Sequence, residues 1–395
     1  MPASNESRRR AVITGVGVVA PGGIGTKAFW ALLAEGRSAT RAVSNFDASG
    51  CNSRVAGECD FDPRREGLSE QQLSRLDRAS QLAVVAGREA VRAAGLDFIR
   101  MDPRRIAVAI GCTTDQQQWR HPMAVELGQL VEAAGPVDAV LTGCTSGIDA
   151  VGHAAALITE GSADVVITGG AHAPLTPLTV ICFDVIGVST HRNDDPAGAS
   201  RPFDRTRDGI VLAEGAAILV VEELGHAWMR GAHIYAEIAG FASRRNVYHM
   251  TNLDLDGKEL SAAIDSALCQ AQLDRSGVDY LNAHGAGTQA DDLYETRAVK
   301  RSLGQHAYTT PISGLKSMIG HSLAAAGALE IAGCLLAFEE GVIPPTANLH
   351  EADPRCDLDY VPLVARERRV NTVLTINSGF EGFQSVMALR RFGAA

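Results

Sequence analysis

A chain of 395 residues that is 46% hydrophobic and 21% charged can bury a large core and is long enough for more than one packed unit, which excludes a disordered chain. Its longest N-terminal apolar stretch, 11–23, is broken by Thr14 and glycines and contains Pro21. It therefore reads as a buried strand and turn although Arg8, Arg9 and Arg10 precede it, so no membrane span is expected and the location should be cytoplasmic. A net charge of −10 with no long basic block excludes an electrostatic footprint for nucleic acid.

In chain order, hydrophobic periodicity predicts strand 11–19, helix 26–35, a long helix 69–94, strands 106–111 and 137–141, helix 146–160, and strands 165–169, 210–221 and 235–242. Helix 258–272, strand 280–283, helices 291–303 and 322–340, and strands 373–377 and 386–390 follow. No low-complexity linker divides this alternation, so a continuous α/β architecture is expected, with helices on both faces of parallel-rich sheets. Gly15, Gly17 and Ala20 fit a dinucleotide fingerprint. Pro21, Gly22 and Gly23 nevertheless prolong the turn before any helix, and no acidic residue closes a second strand, so a strand-to-loop turn is the better reading.

The eight cysteines include no CxxC pair and no zinc-type His spacing, so neither a metal cluster nor a disulfide framework is expected. One of them stands apart. Thr142-Gly143-Cys144-Thr145-Ser146-Gly147 reads as a strand, a sharp elbow and a helix rich in small residues. Cys144 at a helix start would face unpaired backbone N–H groups and the positive dipole end, which favour thiolate. His284 lies in the glycine-rich turn Asn282–Thr288, a loop location typical of a site. His321 follows Lys316-Ser317-Met318-Ile319-Gly320 and precedes the helix that carries Glu330. Cys144 and His321 each stand directly before a small-residue helix, an echo compatible with a duplicated α/β unit.

On these residues the chain resembles, from Arg10 to Arg391, the ketosynthases, the decarboxylating condensing enzymes of the thiolase fold. The order Cys144, His284, Lys316, His321 is similar to that family's Cys-His-His set and its KSxxGH lysine. TGCTSGIDAVG, FDVIGVSTHRNDDPAGASRPFDRTRDGIVLAEGAA, NVYHMTNLDLDG, PPTANLHEADPRCDLDYVPL and GFEGFQSVMAL look like ketosynthase subunits of bacterial type II polyketide synthases. The chain-length-factor partner of those subunits usually lacks the nucleophilic Cys, so Cys144 points to the catalytic subunit.

The resemblance implies a thiolase-like α/β fold, a duplicated α-β-α-β-α five-layer architecture, with the Cys in half 1–232 and both His in half 233–395. It implies decarboxylative Claisen condensation: Cys144 takes an acyl group from an acyl carrier protein, and His284 and His321 bind the enolate oxygen of carrier-bound malonyl. Lys316 and Glu330 would form an ionic network, and Asp292 and Glu295 would brace the His284 turn. Gly379, Phe380 and Glu381 would form an oxyanion and gating loop, in which the Phe380 N–H acts with that of Cys144. Thr288 and Phe183 would contact substrate, and Arg64, Arg65, Arg75 and Arg78 would dock the carrier. No metal or resident cofactor is implied, the acyl groups arriving on the carrier's phosphopantetheine. The implied partner is a chain-length-factor-like homologue in a heterodimer, or a second copy in a homodimer. Apolar surface at Ile148 to Ile158 and at Val137 would need that cover.

Three departures cluster at substrate entry. Glu381 replaces a glycine of the family's GFGG loop, Ala286 replaces a hydroxyl residue, and only about 30 residues separate Gly111 from Gly143, a few dozen fewer than expected. They keep open a ketosynthase-like acyltransferase without repeated elongation. A noncatalytic partner subunit is a third reading, against which Cys144, His284 and His321 all stand.

Overall fold

The computed structural model describes residues 9–113, 122–249 and 254–393. Arg8, part of the short 111–143 segment and Met250–Leu253 of the NVYHMTNLDLDG stretch lie outside the described residues. The first unit contributes β1 (Ala11–Ala20), β2 (Ile106–Gly111), β3 (Val137–Val140), β4 (Val165–His172) and β5 (Gly215–Glu223). The second contributes β6 (Ala236–Arg245), β7 (Tyr280–Asn282), β8 (Ile312–Ser313), β9 (Thr372–Ser378) and β10 (Phe383–Arg391).

The spatial orders are β3-β2-β4-β5-β1 and β8-β7-β9-β10-β6, the same permutation with the same strand senses. The duplication is thus written in the pairing order. The units join where Val12 lies opposite Glu237 and Ile13 opposite Ala236. Within this main sheet parallel pairing is confined to β2 and β7 with their neighbours, and the strands between are antiparallel, which corrects the expectation of parallel-rich sheets. The short return from β9 to β10 leaves no room for the crossover helix that parallel strands require.

Both faces of each unit's half of this sheet are covered. Along β5, Ala217, Leu219 and Val221 face the central layer, while Ala216, Ile218 and Val220 face the outer helix Arg78–Ala94. Helices Lys258–Gln270 and Gln289–Leu303 lie outside the second unit. Helices Ser146–Thr159 and Ala326–Glu340 pack together between the two units' halves of this sheet, which gives the thiolase-like layering. Ile148, Val151 and Ile158 are consequently buried within the protomer, contrary to the expected apolar helix surface, and the helix reaches solvent only through His153, Ala155, Ala156 and Thr159.

Two elements are broken where the sequence pattern runs on. The 69–94 helix is two, Glu70–Arg75 and Arg78–Ala94, because Asp77 caps the second by accepting the Ser80 N–H at 2.8 Å. The 210–221 strand is likewise two. Leu212–Ala213 pairs with Val55–Gly57 in a small separate sheet, and only Gly215–Glu223 enters the main one. Gly15 and Gly17 also find their reason here. A Cβ on them would stand 2.3 Å from the Ala90 carbonyl and 2.0 Å from that of Ala86, so they let helix Arg78–Ala94 lie directly on β1.

Candidate active site

β3 ends just before a tight turn in which Gly143 takes a φ of +64° and Cys144 opens onto helix Ser146–Thr159. The buried carboxylate of Asp149 ties the elbow, accepting from the hydroxyls of Thr142 at 2.5 Å, Thr145 at 2.8 Å and Ser385 at 2.5 Å. A Cβ on Gly147 would lie 2.8 Å from the Ala324 carbonyl. The missing side chain lets this helix start approach the one that follows His321.

His284 follows β7 in a turn held from below. Glu295 accepts the backbone N–H of His284 at 2.7 Å and of Gly285 at 2.9 Å, while Asp292 accepts those of Gly287 at 3.0 Å and Phe203 at 2.7 Å. Arg207, fully buried, pairs with Asp292 at 3.0 Å and Asp353 at 2.8 Å. Burial holds Asp292 up to about 6 and Glu295 up to about 8. His321 is fixed through its backbone, its N–H donating to Val211 O at 2.7 Å and its carbonyl accepting from Ala213 at 2.9 Å.

The two imidazoles meet edge to face with centroids 5.2 Å apart. The Lys316 ammonium donates to His284 Nδ1 at 3.3 Å, to the His284 carbonyl and to Glu330, which also accepts from Asn377. His321 Nδ1 accepts the Leu323 N–H at 3.2 Å. An ammonium and a backbone amide can only donate, so each Nδ1 is an acceptor and each proton resides on Nε2. Burial and then the Lys316 charge push both histidines well below their ordinary pKa, which keeps them neutral.

Cys144, His284 and His321 line one pocket with Phe183, Val188, Ile210, Leu323, Ser378, Gly379 and Phe380. Burial pushes the Cys144 thiol up to about 11, against the opposing Lys316 charge and the Phe380 N–H. Burial thus works against the thiolate that the helix start favours. Gly379 passes directly over the elbow, a Cβ there falling 3.5 Å from the Cys144 nitrogen, and the Phe380 ring packs on Phe183 with centroids 5.9 Å apart. Glu381 is exposed and adopts the left-handed region, φ 62° and ψ 10°. The loop is tied to the end of β6 by Asn246 N–H to Gly382 O at 2.7 Å and Arg245 Nε to Glu381 O at 3.1 Å.

Other residues singled out in the sequence stand apart from this centre. Arg64 pairs with Glu70 and Arg65 with Asp62 on the exposed surface, whereas Arg75 reaches the buried Glu126 and Arg78 the buried Glu214. Arg75 and Arg78 are thus ties within the fold. Thr288 lines the pocket, yet its hydroxyl both accepts the Asp291 N–H at 3.0 Å and donates to Asp291 Oδ2 at 2.8 Å. Sequence reasoning missed Asp149, Arg207, Asp291 and Asn377. Asp149 lay inside the quoted stretch SGIDA, where a charged residue amid small apolar ones was a usable signal, whereas Arg207 lay among the polar and charged residues of RTRDG, which gave none.

Residues 8–227 match the family described as Beta-ketoacyl synthase, N-terminal domain, and residues 235–350 match Beta-ketoacyl synthase, C-terminal domain. The chain is 54% identical to the tetracenomycin polyketide synthase ketoacyl synthase alpha subunit of Streptomyces glaucescens, over 421 aligned positions covering 98% of each chain. It is 53% identical to the granaticin polyketide putative beta-ketoacyl synthase 1 of Streptomyces violaceoruber, over 97% of this chain and 98% of that one. The ketosynthase of a type II acyl-carrier protein complex bound to the hexaketide superposes with a TM-score of 0.88 at 36% identity, over 98% of this chain and 100% of that one. The ishigamide ketosynthase/chain length factor gives 0.90 at 32%, with the same coverage. With family matches over both halves, the chain belongs to the beta-ketoacyl synthases and is an acyltransferase of that condensing type.

Proposed function

We propose that the protein performs decarboxylative Claisen condensation in type II polyketide biosynthesis, on acyl groups delivered by an acyl carrier protein. The observation that carries this reading is the pair of neutral imidazoles, each with Nδ1 occupied and Nε2–H left to donate, in one pocket with Cys144. The Cys144 thiol exchanges with the carrier thioester, giving the acyl-enzyme and the free carrier thiol. The first oxyanion rests on the backbone N–H groups of Cys144 and Phe380. Carrier-bound malonyl then loses CO2, and its thioester oxygen takes up charge against the Nε2–H donors of His284 and His321. The resulting carbanion attacks the acyl carbon, and the Cys144 sulfur leaves and is reprotonated.

Lys316 and Glu330 set the His284 tautomer, while Asp292 and Glu295 hold its turn. No resident cofactor is needed, since the phosphopantetheine belongs to the carrier. The exposed Arg64 and Arg65 would meet an acidic carrier. The halves 1–232 and 233–395 would be the two domains, the partner a Cys-lacking homologue, and the location cytoplasmic. No described helix is long and apolar enough to cross a membrane.

Glu381 in its left-handed position keeps acyl transfer without repeated elongation as the second reading. Intact-protein mass spectrometry with acyl carrier protein, read beside CO2 release from malonyl carrier protein, tests both. Loading that is lost in Cys144→Ala, with CO2 release and chain growth in the wild type, is the expected result. Loading without CO2 selects the second reading, and undiminished loading of Cys144→Ala removes Cys144 from the mechanism.

A further inference from the structure

Asp291 is a pocket-lining carboxyl group to which the condensation chemistry assigns no task. It stands on the wall between the buried floor of Cys144, His284 and His321 and the exposed residues Gln289 and Ala290. Any thioester that reaches Cys144 along this wall must draw its arm past it. The neighbouring side chains offer that arm little. Ala286 has no polar atom, and the Thr288 hydroxyl proton is already given to Asp291 Oδ2. Oδ1 of this pocket-lining group accepts no hydrogen bond from the described residues, so it is the oxygen that can take an amide N–H. We propose that Asp291 seats the thioester arm by accepting a hydrogen bond from its amide, so that substrate selection on this wall falls to a carboxylate. The inference rests on the proposed function and specifies which residue recognises the amide-bearing arm.

The test compares one acyl group on three leaving arms: ethanethiol, which has no amide, N-acetylcysteamine, which has one, and pantetheine, which has two. Loading of the full-length protein is followed by mass spectrometry to obtain kcat and KM. The wild type should prefer the amide-bearing arms through KM. In Asp291→Ala that preference should fall by about tenfold, the scale of one hydrogen bond to a charged group. Asp291→Asn keeps an acceptor oxygen and should restore most of it.

An unchanged arm preference in Asp291→Ala would overturn the assignment. So would an equal loss of kcat with all three arms, which is the mark of a merely disturbed turn, or a failure of Asp291→Asn to rescue. A wild type that loads Cys144 from none of the three would instead overturn the functional reading, and this inference with it.

Discussion

Lys316 governs three groups at once. Its ammonium lowers the thiol of Cys144 and both imidazoles, and it is the counter-ion of Glu330, both partners being 1–2% exposed in their side chains. Lys316→Met would leave Glu330 buried without its cation, at a cost of about 3–5 kcal/mol. Urea unfolding of the variant beside Lys316→Met/Glu330→Leu checks this, since the double variant should recover part of the loss. The pH consequence has a definite sign. Histidines whose folded pKa is depressed stay neutral as pH falls through their ordinary value near 6.5, so they favour the fold above that value and lose this contribution only as pH drops toward their folded pKa. The wild-type rate of CO2 release should therefore show no titration near pH 6.5, and Lys316→Met should move an acid limb upward, with burial still holding it below that value. A wild-type profile that bends at 6.5 would contradict the neutral pair. Cys144, His284, Lys316 and His321 could be picked out in sequence because each stands among small residues at the end of an element. Arg207 and Asn377 could not, because their partners lie far along the chain: Arg207 binds Asp353, and Asn377 binds Glu330.

The loop between β9 and β10 carries the Phe380 N–H, an oxyanion donor of the proposed mechanism. Gly382 holds a φ of +82°, and a Cβ there would stand 1.9 Å from the Asn246 carbonyl, against a backbone that is itself hydrogen-bonded to Gly382. Gly382→Ala must therefore displace the loop, and the Phe380 N–H moves away from Cys144 with it. Loss of one oxyanion donor costs about 3 kcal/mol, on the order of a hundredfold in loading rate. Because the loop lies at the surface end of two strands, the melting temperature should shift far less than the rate. A variant that loads at the wild-type rate would show that the Phe380 N–H is not a donor. Glu381, one residue earlier, already accepts the strain of a left-handed side-chain residue, about 1–2 kcal/mol, and Arg245 bound to its carbonyl helps hold it there. The periodicity of the sequence located these strands but not the break at Asp77 or the division at Glu214. The helical pattern runs on through the first and the strand pattern through the second, and only caps and ion pairs separate the elements.

At the scale of the whole molecule, the duplication was faint in the sequence because it lies in the order of strand pairing, which leaves no residue signature beyond the two small-residue helix starts. The same topology decides where a partner can sit. Helix Ser146–Thr159 is enclosed between the two units' halves of the sheet, so its buried apolar residues call for no partner, but β3 ends the first unit with Val137 43% and Leu141 41% exposed. Helix Pro177–Val185, which brings Phe183 to the pocket, exposes Leu178 at 67% and Val185 at 80%, with Ile181 and Ile186 also open. An unpaired edge strand and an apolar helix face on elements that also border the nucleophile pocket are costly to leave in water. We expect a Cys-lacking homologue to cover them, with self-pairing when the homologue is absent. Leu178→Asp/Val185→Asp places two charges in that surface without touching the core. It should convert the coexpressed assembly to separate chains in light scattering while the melting temperature of the chain alone stays close to wild type. An active monomer from the wild type in both preparations would defeat the dimer, and a tight homodimer that ignores the homologue would defeat the heterodimer.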